Sequence, residues 1–259
     1  MRERQSLTLL TYNTHSAVGT DGAIAPERIA DVLSECDPDI ICLQELDIGL
    51  RRTGSVDQAR YIACQLKMSY HFHPALHIAE GQYGNAVLTR FPMRLVRAGA
   101  LPGLPQRSRL EKRGAVWVEV LVQDRPVQIV TVHMGLNRRE RLAQAVALTG
   151  PEWVGAPQCK LPVILCGDLN ALPASPVHRL FRANMRDAHL AAGRPQATWP
   201  SKCAIARIDY IYVSKDVIVR DCTVHRSRLA RLASDHLPLL ARLEITEPEG
   251  MRFTDEEDT

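Results

Sequence analysis

Six short apolar runs of this chain carry a carboxylate, a carboxamide or an imidazole at or near one end. LTLLTYN ends at Asn13, IICLQE at Glu45, VQIVTVH at His133, and VILCGDLN at Asp168 and Asn170. ARIDYIYV carries Asp209, and LASDHLPLLARL opens on Asp235 and His236. An unpaired carboxylate in apolar surroundings is costly, so runs that share this trait point to one polar site where strand ends converge. Carboxylate and amide oxygens suit a hard cation such as Mg²⁺ or Mn²⁺ and suit zinc poorly. Two imidazoles add proton handling and charge stabilisation. Together these groups fit metal-assisted attack of water on a phosphoester.

Taken singly, Asn13 reads as a turn former and Glu45 as a surface residue. GDLN at 167–170 is more specific. Gly167 permits a tight exit from the strand, and Asp168 and Asn170 then point the same way, two residues apart. One can orient or deprotonate a water while the other donates to a phosphoryl oxygen. Of the two histidines, one with a carboxylate partner can handle protons and the other can stabilise charge in the transition state. Asp209 is the natural group to fix a histidine's tautomer.

The elements that would hold these residues alternate strand and helix. Strands are expected at 6–13, 40–43, 69–77, 83–90, 93–99, 114–122, 126–133, 161–167, 207–213, 217–225 and 237–245. Helices are expected at 26–36, 57–67, 138–148 and 175–182. Pro26 suits a first helical turn, where its missing N–H costs nothing. QDRP reads as a hairpin turn between 114–122 and 126–133. Many strands with interspersed helices indicate an α/β (α+β) fold, two mixed sheets packed face to face with helices outside.

Composition sets the frame. The 259 residues are 46% hydrophobic and 24% charged, enough for a sizeable core, and the net charge of +3 does not by itself argue for nucleic acid. A cluster of Arg and Lys at 90–113 suits an anionic substrate or a solvated face. The seven cysteines are odd in number and lack a C-x-x-C pair, so they read as buried thiols of a reducing compartment. No apolar stretch approaches the length of a membrane span, and a cytoplasmic location is expected. One domain is expected over 1–246, with an acidic, disordered tail over 247–259.

TYNTH, LQELD, TVHMGL, GDLNA, RIDYIYVS and SDHLP, in this order, resemble the endonuclease/exonuclease/phosphatase superfamily, which includes DNase I, apurinic endonucleases, neutral sphingomyelinases and inositol-polyphosphate 5-phosphatases. The resemblance runs from Thr11 to Leu240 and implies a DNase I-like four-layer α/β sandwich. It implies a metal site of Asn13, Glu45 and Asp235, with Glu45 the main Mg²⁺ ligand. It implies that Asp168 activates water, Asn170 holds the scissile phosphate, and Asp209 orients His236. His236 would be general base or transition-state stabiliser, and His133 would contact the phosphate or protonate the leaving group. His133 in TVHMGL departs from the tyrosine-containing segment of apurinic endonucleases, and GDLNALPAS lacks the Arg-rich element of 5-phosphatases. QYGNAVLTRFP resembles uncharacterised bacterial phosphohydrolases of the superfamily.

Arg51, Arg52 and Arg113 are candidates for contact with a substrate phosphate. His71, His73 and His77 admit a zinc reading, against which stand the missing Cys or carboxylate and the disruptive Pro74. The expected activity is a Mg²⁺- or Mn²⁺-dependent phosphodiesterase acting on nucleic acid or a phospholipid or sphingolipid head group. The alternative is a non-catalytic binding or scaffold protein that retains the fold.

Overall fold

The computed structural model describes residues 5–78, 80–107, 110–160 and 162–246. The expected acidic tail at 247–259 lies outside the described residues. The chain begins with β1 (Gln5–Asn13), α1 (Pro26–Cys36), β2 (Ile40–Ile48) and α2 (Gln58–Leu66). Pro26 opens α1 as its sequence suggested, and Asp37 closes it in a left-handed conformation, with its N–H bonded to Leu33 O. Asp57 caps α2 by accepting from Arg60 N–H at 2.9 Å. Next come β3 (Ser69–Ile78), β4 (Gly81–Thr89), β5 (Met93–Ala100), β6 (Gly114–Val122) and β7 (Arg125–His133). Gln123 and Asp124, both at positive φ, form the two-residue turn between β6 and β7. The rest is α3 (Arg138–Thr149), β8 (Val163–Asp168), α4 (Val177–Arg182), β9 (Arg186–Asp187), α5 (Ala188–Ala191), β10 (Asp209–Val213), β11 (Val217–Val224), α6 (Arg228–Ala233) and β12 (Leu239–Ile245).

Two mixed sheets result. One has the order β11-β12-β1-β2-β4-β3 and the other β5-β6-β7-β8-β10-β9. The parallel pairs are β1 with β2 and β7 with β8. Alternation assigns the faces: Val116, Val118 and Val120 of β6 and Ile129 of β7 belong to the core shared with the first sheet. Ala115, Trp117, Val130 and Val132 point the other way, into a second cluster with Leu148 of α3 and Phe181 of α4. The expected sandwich of two sheets with helices outside is what forms.

Two departures from regularity aim the polar residues. β2 continues past Leu43, where the sequence expectation ended it, because its register against β4 breaks between Leu43 and Leu46. Within that break Glu45 takes a left-handed φ of 59°. In β8, Gly167 has φ 142°, and a Cβ there would lie 1.8 Å from Val132 O, so only glycine allows β8 to lie so close to β7.

A buried histidine outside the candidate site sets a pH limit on this architecture. His189 Nε2 accepts from Gln196 N–H at 3.2 Å, so Nδ1 carries the proton, and it has no hydrogen-bond partner among the described residues. Burial, with repulsion from Arg207, pushes its pKa down from 6.5 to about 4. Between those values the unfolded chain binds a proton that the folded chain refuses, so stability falls as pH drops through this window. Urea unfolding is expected to show a lower midpoint at pH 5 than at pH 7.5, with a smaller difference in His189→Gln.

Candidate active site

Asn13 stitches the two sheets together at their polar end. It closes β1, and its Nδ2 donates to Glu45 Oε1 of β2 at 2.9 Å and to Asp168 Oδ2 of β8 at 3.0 Å. Its Oδ1 accepts from His15 N–H at 3.0 Å. Strand register then aligns the second sheet's contribution: Asp168 stands opposite His133 on one side and Asp209 on the other. Asn170, in a left-handed conformation, turns its N–H back to Asp168 Oδ1 at 2.8 Å. Its Nδ2 reaches Met134 O at 2.9 Å and approaches His133 Nε2 at 3.2 Å.

Two imidazoles flank Asp168. His236 Nδ1 donates to Asp209 Oδ2 at 2.9 Å, which leaves Nε2 facing Asp168 Oδ2 at 3.7 Å. Ser234 locks this turn, accepting from His236 N–H at 3.2 Å and donating to Asn13 O at 2.8 Å. On the other side His133 Nε2 lies 3.5 Å from Asp168 Oδ2 and 3.7 Å from Glu45 Oε1. His133 Nδ1 meets Arg113 Nη1 at 2.8 Å. Arginine has donors and no acceptor, so Nδ1 must be the accepting nitrogen and the proton of His133 must sit on Nε2, pointing into the site.

The electrostatics call for added positive charge. Burial pushes Asp168 up to about 7; His236 opposes this, while the neighbouring Asp209 carboxylate reinforces it. Burial works against a charged His236, but Asp209, with Asp168 and Asp235, overrides it and lifts the group to about 10. Burial, followed by repulsion from Arg113 and His236, holds His133 well below 6.5 and therefore neutral. Asp209 Oδ1 is buried with no hydrogen-bond partner among the described residues. Asp168, Asp209 and His236 place donor atoms within 4.8 Å of one another. With Glu45 beside them, these crowded carboxylates, one Asp209 oxygen of which has no hydrogen-bond partner among the described residues, fit a divalent cation.

Residues 10–236 match the endonuclease/exonuclease/phosphatase family. The chain belongs to this family. It is 28% identical over 255 residues to the uncharacterized protein YbhP of Escherichia coli, covering 93% of this chain and 97% of YbhP. An endonuclease/exonuclease/phosphatase family protein from Bacteroides thetaiotaomicron shares its fold with a TM-score of 0.75 at 21% identity, over 95% of this chain and 97% of the other. The mannosyl-6-phosphatase of the same organism gives 0.72 at 21% identity, over 92% and 99%. The family is one of phosphoesterases.

Within this endonuclease/exonuclease/phosphatase domain the remaining candidates separate. Asp235 turns its carboxylate to Trp199 Nε1 at 3.1 Å and toward His15 Nδ1 at 3.8 Å, on the rim of the cluster. Arg51 and Arg52 are both exposed, and Arg52 lines a cavity of about 370 Å³ together with Glu45, Tyr83 and Glu111. Arg52 is fixed there by two 2.8 Å bonds to Asp47, a buried carboxylate that also accepts from Thr53 and Ser16. Arg113 is 7% exposed and is held by Glu111 and His133. His77 bonds Gln82, and the three histidines of β3 do not gather their donors as a metal group would. Sequence reasoning missed Asp47 and the contact of Arg113 with His133. An acid five residues before an arginine in LDIGLRR was a faint signal for the first; nothing in the sequence announced the second.

Proposed function

We propose that this domain is a Mg²⁺- or Mn²⁺-dependent phosphodiesterase that hydrolyses its substrate by direct attack of water. The observation that carries the reading is the junction at Asp168, where one buried carboxylate meets two oppositely prepared imidazoles and an amide bridge to Glu45. Glu45 would hold the cation, with Asn13 beside it and Asp235 on the rim. When bound, the cation supplies charge neutralisation for the phosphoryl oxygens.

The chain's own groups divide the remaining work. Asp168 accepts the proton of the attacking water, and a carboxyl poised near neutrality suits that task. His236, held by Asp209, presents a charged Nε2–H to the phosphoryl group, and the neutral His133 presents its Nε2–H from the other side. Asn170 stands beside His133, its Nδ2 held by Met134 O at 2.9 Å. The direct route suits hydroxyls that are already committed, Ser234 to Asn13 O and Thr14 to the Gln44 and Glu45 carbonyls. A scaffold would have no need of this complete set.

Among the described residues of the cationic stretch at 90–113, four arginines are engaged in ion pairs. Arg90 pairs with Asp37, Arg94 with Glu119, Arg97 with Glu152 and Arg113 with Glu111. This pairing counts against nucleic acid and leaves a lipid head group as the better-supported substrate class. The test is hydrolysis of bis(4-nitrophenyl) phosphate. Activity is expected with Mg²⁺ or Mn²⁺, to fall to background in EDTA and to return when the ion is restored; no turnover with either ion would sink the reading.

A further inference from the structure

The three most exposed large apolar side chains among the described residues are Ile205 (82%), Leu136 (71%) and Leu172 (57%). Scattered exposed leucines need no explanation, but these three lie on loops at one end of the second sheet, where His133, Asp168 and Asp209 stand in register. Leu136 follows His133 by three residues, Leu172 follows Asn170 by two, and Ile205 precedes Asp209 by four. Each is on a loop that leaves or enters a strand end carrying a residue of the candidate site. A fourth apolar group, Trp199 (39% exposed), stands with them, its Nε1 donating to Asp235. It bridges to Ala206, next to Ile205.

The charge of the same loops has one sign. Segments 134–139 and 169–208 contain a single acidic residue, Asp187, which is buried and ion-paired with Arg207. Exposed cations flank the apolar tips: Arg138 and Arg139 follow Leu136, and Lys202 lies between Trp199 and Ile205. Apolar tips beside cations, with no exposed acid in these loops, complement a surface of anionic head groups over hydrocarbon.

We propose that these loops dock the domain on an anionic lipid surface and present the head-group phosphodiester of a membrane lipid to the site. This names the substrate class of the proposed phosphodiesterase and rests on that reading.

Trp117 and Trp153 are buried, so Trp199 is the tryptophan able to report contact. The full chain is mixed with vesicles of phosphatidylcholine alone, or containing 30% phosphatidylglycerol, followed by sedimentation and tryptophan emission. Co-sedimentation and a blue shift are expected with the anionic vesicles, weakening from 0.1 to 0.5 M NaCl. The pair Leu136→Asp and Ile205→Asp is expected to weaken binding at least tenfold. Arg138→Ala with Arg139→Ala is expected to weaken it by about fivefold per cation. Both variants should retain hydrolysis of bis(4-nitrophenyl) phosphate. Failure to sediment, equal sedimentation of the Asp variant, or capture by duplex DNA in place of vesicles would overturn the docking. Vesicle binding without diester hydrolysis would instead overturn the phosphodiesterase reading and leave docking intact.

Discussion

Asp168→Ala is expected to lower kcat/KM for bis(4-nitrophenyl) phosphate by at least about 10³-fold. The carboxylate is touched by both halves of the site: Asn13 from the first sheet and the Asn170 N–H from the second, with both imidazoles within 3.7 Å. Asp168→Asn keeps the shape and removes the base, so it should lose activity to a similar degree. Both oxygens of Asp168 accept, from Asn13 Nδ2 and from the Asn170 N–H, so the amide sets its NH2 against one of these donors, and a lower Tm together with lost turnover is the expected pair of results. Retained turnover in both variants would remove Asp168 from the mechanism.

Arg113→Met is the second large effect, expected at roughly 10²–10³-fold in kcat. Methionine preserves much of the length and apolar stem, but removes the donor that forces His133 Nδ1 to accept. The imidazole, flanked by Glu45 and Asp168, is then free to move its proton to Nδ1 or to take a second one. Either change removes the neutral Nε2–H donor. Nitrogen-15 NMR should show His133 as the Nε2–H tautomer in the wild type and mixed or protonated in Arg113→Met. The pH profile should shift with it. Arg113→Lys, also donor-only, should recover part of the rate. Lost activity with an unchanged His133 spectrum would show that Arg113 acts through packing alone.

The legible part of this molecule follows the physics of strands. VQIVTVH and GAVWVEVLV read as strands from their runs of β-branched apolar residues, and the structure splits their side chains between two cores as the two-residue period of a strand requires. Polar residues at strand ends were visible because they broke that pattern, and the structure brings Asn13, Glu45, His133, Asp168, Asn170, Asp209 and His236 together. What was hidden depends on partners distant in sequence. The extension of β2 to Ile48 relies on a register break against β4, and a bulge has no local signature when Gln44 and Asp47 are buried polar residues. The short helices α5 and α6 were also unforeseen; four and six residues carry too little periodicity. Arg113 was a candidate for a substrate phosphate, and its contact with His133 was hidden because 20 residues of chain separate the two.

The order of strands across the first sheet has a consequence for birth on the ribosome. β1 lies between β2 and β12, while β5 to β10 all belong to the other sheet. β1 therefore keeps one edge bare while β5 to β10 are made, until β12 slots in beside it. His236 arrives only three residues ahead of that strand. A nascent chain can thus complete its second sheet before His236 is in place, so on the proposed chemistry the last site residue and the sealing of the bare β1 edge arrive in the same late event.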